Sequence, residues 1–135
     1  MRTRTRLVAL MPAAVVALLV TGAALALSGL TYNGTARLSV SNTEATVTGT
    51  VTCDPVFDVN ANLFAEILQG RGSQILIASG SATVTCTGSP QPWAVVVSTS
   101  QGQTLKTGSA SVNISAYNAT FSSSQTVSGP IHLKN

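Results

Sequence analysis

Apolar and polar residues alternate along much of the chain, and this period of two is typical of strands that bury one face. In residues 45–53 the apolar positions alternate with four threonines, and the apolar face ends at Cys53. Residues 81–86 repeat the pattern and end at Cys86 on the corresponding face. The pattern predicts sheets that each have one buried face and one solvated face.

Other segments also suit strands, with turn residues between them such as Gly70-Arg71-Gly72 and Gly88-Ser89-Pro90. These further strands are predicted at residues 36–41, 74–78, 93–97, 108–117 and 127–133.

Residues 58–69 suit two different structures. Asp58 is a possible helix cap, and helical spacing is shown by Leu63, Phe64, Ile67 and Leu68. A strand would instead place alternate residues from Val59 to Ile67 on one apolar face. We favour the strand, because all the surrounding segments are predicted strands.

Seven to eight short strands predict an all-β fold, which we interpret as an immunoglobulin-like antiparallel β-sandwich. In a true immunoglobulin domain the core Trp lies between the two cysteines. Here Trp93 follows both cysteines, so we expect a related architecture with different strand connections.

The N-terminal residues have the features of a signal peptide. A basic stretch over 1–6 precedes an apolar run over 7–20, and Ala24-Leu25-Ala26 matches the signal-peptidase pattern. We predict a signal-peptide helix over 1–26, an N-terminal linker over 27–35 and one sandwich domain over 36–135. An uncleaved membrane anchor is the alternative, since the apolar stretch could span a bilayer. After cleavage no stable membrane span is expected.

The part of the chain predicted to be exported contains two cysteines and has no net charge. Cys53 and Cys86 form an even pair outside the cell, which predicts one disulfide. Metal binding is the weaker alternative, because two thiols do not fill a tetrahedral site and His132 is distant in sequence. Beyond Leu27, four cations and four anions cancel, so no nucleic-acid partner is expected.

These residues resemble a family of secreted immunoglobulin-like β-sandwich proteins of actinobacteria, whose biochemical role is uncharacterised. The resemblance covers roughly residues 45–133 and implies a fold and an export route, but no chemistry. It rests on Gly49-Thr50-Val51-Thr52-Cys53, Gln69-Gly70-Arg71-Gly72, Val84-Thr85-Cys86-Thr87-Gly88, Trp93-Ala94-Val95 and Gly108-Ser109-Ala110-Ser111-Val112.

No catalytic or metal-binding constellation is recognisable, so we expect neither an enzyme nor a cofactor. A Ser-His-Asp triad would need His132 near the end of the chain. Asp54, Asp58 and Glu66 are candidate paired carboxylates, but sugar sites also use aromatic residues, and we expect most of the six aromatics in the core. The segment Asp58-Val59-Asn60-Ala61-Asn62 resembles the start of a calcium loop, but it lacks the turn glycine and the final glutamate.

A few single residues have both a structural and a functional interpretation. We expect Trp93 to fill the core beside the disulfide, the alternative being the floor of a ligand pocket. We expect Arg71 to be an exposed turn residue. The three N-glycosylation motifs matter only in a eukaryotic secretory pathway, and they begin at Asn33, Asn113 and Asn118.

Together these features predict a secreted, noncatalytic interaction or structural module, located outside the cell or at the cell envelope. Its partner would be an extracellular protein or an envelope component. The alternative is a small-molecule carrier similar to the enediyne-binding apoproteins, with a cleft lined by residues such as Phe57, Phe64 or Phe121. We expect a monomer that self-associates weakly through exposed edge strands such as residues 36–41.

Overall fold

The computed structural model describes residues 26–120 and 123–135, and this part of the chain contains eight β-strands and no helix. This confirms the all-β class. The predicted signal peptide falls outside the described residues except for Ala26. The strands are β1 (Leu27–Tyr32), β2 (Thr35–Leu38), β3 (Glu44–Cys53), β4 (Asn60–Arg71), β5 (Gln74–Thr85), β6 (Pro90–Thr99), β7 (Gly108–Asn118) and β8 (Ser124–Lys134).

Seven of these strands form a closed barrel, in the order β3-β2-β8-β7-β4-β5-β6 and back to β3. The remaining strand, β1, pairs with the second half of β3. The all-β prediction therefore holds, but the strands close into a barrel and do not form two separate sheets of a sandwich. The prediction of purely antiparallel pairing is also wrong, because β2 runs parallel to β8. Three short pairings complete the ring: β2 with β3, β2 with β8, and β5 with β6 at Ala78 and Ser79.

The ambiguous segment at residues 58–69 is a strand, as favoured above. It contributes most of β4, which pairs with β5 along its whole length and with β7 on its other side. Side chains of β4 alternate between buried and accessible positions from Ala61 to Gln69. A helix there would leave the facing backbone groups of both neighbouring strands without partners.

Two predictions about the N-terminal part are wrong. Residues 27–32 of the predicted linker form β1, where Leu27 and Leu30 are buried and Leu27 lies opposite Cys53. The predicted edge strand at residues 36–41 is not an edge, because Ala36 and Leu38 lie in a strand paired on both sides. Both segments carry apolar side chains, and these reach the core only when the backbone pairs with the strands of the barrel.

The core consists mainly of small aliphatic side chains from every strand. Within it, the disulfide joins Cys53, the last residue of β3, to Cys86, the residue after β5, with a Cα–Cα distance of 4.9 Å. Both cysteines are buried. The predicted disulfide is confirmed. Other fully buried side chains include Leu63, Ile67, Ile114, Leu133, Val47, Val51, Val95, Val97 and Val112.

Candidate functional site

The outer surface of the three adjacent strands β5, β4 and β7 carries exposed aromatic and polar side chains. Leu63 and Ala65 of β4 are buried, so the residue between them, Phe64, points outward and is 44% exposed. In β7, Ile114 and Ala116 are buried, so Ser115 and its neighbours on the same face point outward. The same alternation that builds the core therefore presents Phe64 on the surface.

Phe64 contacts a second aromatic ring across the sheet. Its ring centroid lies 5.8 Å from that of Tyr117, with an angle of 72° between the ring planes. The two residues are diagonal neighbours, since Phe64 lies opposite Ser115 and Tyr117 lies opposite Asn62. This edge-to-face arrangement is favourable for aromatic pairs and holds Phe64 in place on the sheet.

The expectation that most aromatic residues fill the core is wrong for the described residues. Among the aromatic residues that the structure describes, only Trp93 is buried, at 4% exposure. Tyr32 and Tyr117 are half-buried, and Phe57 and Phe64 are exposed. Small aliphatic side chains fill most of the barrel interior, and the described aromatic rings other than Trp93 are at least partly accessible to solvent.

Two rows of side chains cross the three strands beside Phe64. In the first row Phe64 lies between Ser115 of β7 and Ser81 of β5. In the second row Glu66 lies between Asn113 of β7 and Ser79 of β5. These six residues, which we call the Phe64 face, line an open depression of about 460 Å³.

The polar groups of the Phe64 face are available to a ligand. Within residues 26–120 and 123–135, the side chains of Glu66, Asn113, Ser79 and Ser81 make no hydrogen bond or ion pair. The hydroxyl of Ser115 lies 3.3 Å from that of Thr126. The face therefore offers one carboxylate, one carboxamide and several hydroxyls beside an exposed ring.

The next row of the same surface is aliphatic on β4 and β5, whereas β7 contributes the exposed Ser111. Leu68 lies opposite Ile77 of β5, and Ile75 follows it toward the turn. Ile75 is 65% exposed and Ile77 is 47% exposed. The outer surface thus changes from aromatic and polar to aliphatic along β4.

The candidate catalytic residues lie in one loop and on two different strands. His132 is exposed on β8, and Asp54 and Asp58 lie in the loop between β3 and β4. Glu66 lies six residues into β4, roughly 20 Å from the start of that strand. This exceeds the separation of about 5 to 10 Å that paired glycosidase carboxylates need. Among the described residues no three His, Cys, Asp or Glu side chains form a group that could hold a metal ion.

The calcium-like segment is divided between a turn and a strand. Asp58 accepts hydrogen bonds from the backbone N and the hydroxyl of Thr120, at 3.4 and 3.1 Å. Asn60 and Asn62 lie in β4, where the side-chain oxygen of Asn62 accepts a hydrogen bond from Thr83 at 3.4 Å. The Asp58 carboxylate therefore connects the loop between β3 and β4 to the turn that follows β7.

Trp93 is a core residue, as expected, and lies opposite Gly49 in the β3–β6 pair. Gly49 is four residues before Cys53, roughly 13 Å along β3, so the expected position of Trp93 beside the disulfide is not confirmed. Trp93 also borders an open depression between β1 and β6, but its indole nitrogen is buried. Arg71 is half-buried, and its Nη1 donates a hydrogen bond to the Thr104 carbonyl at 2.8 Å. Arg71 is therefore the last residue of β4 and not an exposed turn residue, and its hydrogen bond stabilises the loop that contains Thr104.

Gln69 is a structural residue that sequence reasoning missed. It is 5% exposed, its Nε2 donates to the Lys106 carbonyl at 2.7 Å, and its Oε1 accepts from the Lys106 N–H at 2.8 Å. This paired bond fixes the loop before β7 to β4. The signal was present, because Gln69 continues the buried alternation of Leu63, Ala65 and Ile67.

Two of the three glycosylation motifs are accessible. Asn33 and Asn113 are exposed, whereas Asn118 is buried. The Asn118 side chain donates to the Thr120 hydroxyl and accepts from the Ser123 N–H. Asn118 therefore organises the turn between β7 and β8.

Comparisons with known proteins identify no family. No family model matches the sequence, and no curated protein shows significant similarity to it. Among solved structures, the chain is similar to AggA, the major subunit of aggregative adherence fimbriae type I from Escherichia coli. The identity is 16%, the TM-score is 0.39, and the alignment covers 80% of this chain and 94% of that chain. A similarity this weak carries no information about function. No helix in the described residues has the length and apolarity to cross a membrane.

Proposed function

We propose that the protein is a secreted, noncatalytic binding module that uses the Phe64 face as its contact surface. The observation that supports this is the exposed Phe64 ring beside four polar side chains that make no hydrogen bond or ion pair within the described residues, Glu66, Asn113, Ser79 and Ser81. Exposed aromatic residues beside polar groups are characteristic of recognition surfaces. The face contains no group of residues arranged for acid–base or nucleophilic chemistry, so binding is the activity that it supports best.

The buried disulfide supports the secreted location. Disulfides persist in oxidising compartments, and the bond between Cys53 and Cys86 fixes β3 to the end of β5. The signal-peptide features of the first 26 residues and the resemblance to secreted actinobacterial proteins point in the same direction. The immunoglobulin-like interpretation of the barrel is part of this proposal.

The small-molecule carrier stays a prediction without a specific supporting observation. Two of the phenylalanines assigned to its cleft, Phe57 and Phe64, are exposed. Phe121 lies outside the described residues.

The proposal is tested by retention of the purified domain on isolated cell envelope and on material from the culture medium of the producing organism. Wild-type protein should be retained, and Phe64→Ser should lose most of that retention. Phe57→Ser is the matched control, because Phe57 has a similar exposure, 48% against 44%, but lies in the loop between β3 and β4. Equal retention of both variants would contradict the proposal, as would no retention of the wild type.

A further inference from the structure

We infer that the Phe64 face binds a neutral carbohydrate. This inference rests on the proposed function, because it names the ligand class for the same surface. It follows from three properties of the face: the arrangement of its side chains, its charge, and the cost of covering it with other partners.

The arrangement suits a sugar ring. A pyranose has an apolar face of C–H groups and a rim of hydroxyls, so it binds best where a flat apolar surface is bordered by hydrogen-bonding groups. Phe64 supplies the flat surface, and two serines lie on either side of it, Ser115 and Ser81. The next row supplies Glu66, whose side chain starts roughly 7 Å from that of Phe64.

The second row suits a pair of neighbouring hydroxyls. Asn113 lies directly opposite Glu66, so their Cβ atoms are about 5 Å apart. The carboxylate of Glu66 accepts hydrogen bonds, and the amide of Asn113 both donates and accepts them. A sugar ring stacked on Phe64 therefore meets a hydrogen-bond acceptor and a hydrogen-bond donor at one edge.

The charge of the face disfavours an anionic ligand. Glu66 is the only charged residue among those that line the depression. A phosphate, a nucleic acid or an acidic polysaccharide would be repelled by this carboxylate, and no Lys or Arg in the lining would offset the repulsion. The chain beyond Leu27 has four cations and four anions, so it provides no general attraction either.

An apolar partner is also unfavourable. It would bury the carboxylate of Glu66, the amide of Asn113 and the hydroxyls of Ser79 and Ser81 without giving them partners, which costs free energy for each group. A ligand rich in hydroxyls provides a partner for each of them. A neutral carbohydrate can therefore satisfy the polar groups and the aromatic ring together.

The test uses isolated envelope of the producing organism in three forms: untreated, digested with protease, and oxidised with periodate, which cleaves the vicinal diols of sugars. Retention of the wild-type domain should survive protease and be lost after periodate. Retention should change little between about 0.1 M and about 1 M salt, because binding of a neutral ligand involves no charge–charge attraction for salt to screen.

Two variants locate the site. Phe64→Ala and Asn113→Ala should each weaken retention by about tenfold, as expected for the loss of one well-formed contact. Phe57→Ala should leave retention unchanged. Circular dichroism of each variant checks that the fold is kept.

The outcomes separate the two proposals. Retention that depends on Phe64 but is lost after protease and survives periodate would overturn the carbohydrate and keep the binding face. Retention that falls steeply with salt would also overturn a neutral ligand. Retention that survives protease and is equal in Phe64→Ala and Phe57→Ala would overturn the Phe64 face itself, and with it both proposals.

Discussion

Gly49 and Trp93 lie directly opposite each other in the β3–β6 pair, and the space that a side chain at Gly49 would occupy is taken by the indole ring. A Cβ atom at Gly49 would lie 2.6 Å from Cζ2 of Trp93 and would also overlap the carbonyl of Thr31 in β1. The only tryptophan of the chain is therefore accommodated by a glycine on one neighbouring strand. This contact joins β1, β3 and β6 at one point of the barrel.

Gly49→Ala should lower the free energy of unfolding by about 3 kcal/mol, because the overlapping Thr31 carbonyl is backbone and cannot move without disturbing β1. Gly70→Ala is the control, since a Cβ there meets nothing within 4 Å. It should be neutral or stabilise the fold by about 0.5 kcal/mol. Urea unfolding followed by Trp93 fluorescence measures both. Equal stability of the two variants would contradict the close packing at Gly49.

Replacing Trp93 should separate the roles of its ring and its nitrogen. The indole Nε1 is buried with no hydrogen-bond partner among the described residues, which costs about 1 to 3 kcal/mol. Trp93→Phe removes that cost but also loses ring volume, so its net effect should be within about 1 kcal/mol. Trp93→Ala should cost about 3 to 5 kcal/mol through the cavity. Thermal unfolding followed by circular dichroism compares the stability of the two variants. If Trp93→Phe loses as much stability as Trp93→Ala, the indole nitrogen makes a stabilising hydrogen bond and the prediction is wrong.

Removing the disulfide should strongly destabilise the barrel. The bond closes a loop with a sequence separation of 33 residues, which is worth about 3.5 kcal/mol in the chain-entropy model. Changing both Cys53 and Cys86 to Ala should lower the melting temperature by more than about 10 °C. An unchanged melting temperature, or two free thiols detected by alkylation of the native secreted protein, would contradict this prediction.

The buried amide of Gln69 allows a prediction about pH. In Gln69→Glu the new carboxyl group faces the Lys106 carbonyl in place of the amide donor. Burial raises the pKa of that group above its unfolded value of about 4.3. The destabilisation should therefore be full above the raised folded-state pKa and should diminish as the pH falls through it, because the protonated carboxyl can donate.

The control for this variant is Gln74→Glu, at an exposed position of β5. It should show no comparable change in stability between about pH 4 and pH 8. Chemical unfolding at several pH values makes the comparison. A loss of stability in Gln69→Glu that is independent of pH would contradict the role assigned to the amide.

Weak self-association is expected at β5 rather than at the strand over residues 36–41. The first four residues of β5, Gln74–Ile77, have no strand partner on the side away from β4 in the described structure. Two of them, Ile75 and Ile77, have exposed side chains. Such an edge with little charge favours pairing between copies. Ile75→Thr with Ile77→Thr should reduce association in sedimentation experiments at high concentration, whereas Val40→Thr in an exposed turn should not. Monomeric wild-type protein at millimolar concentration would contradict the prediction.

The sequence alone determined the local features of this protein. A period of two decides which side of a strand is buried, so seven of the eight strands, the inward cysteines and the strand at residues 58–69 were predictable. The exception is β1, which was predicted as part of a linker. The same alternation places Phe64 and Tyr117 on the outer surface, since each lies between buried residues. This consequence was available from the sequence and is the signal for the candidate site.

Only the tertiary structure decided which strands are neighbours and in which register. The alternation of Thr35–Leu38 is the same whether it forms an edge or pairs with β3 and β8, and nothing local specifies its parallel pairing with β8. Likewise, Ser115, Phe64 and Ser81 form one row because three strands distant in sequence align there. The physical reason is that register depends on the summed packing of the whole barrel, whereas alternation depends only on adjacent residues.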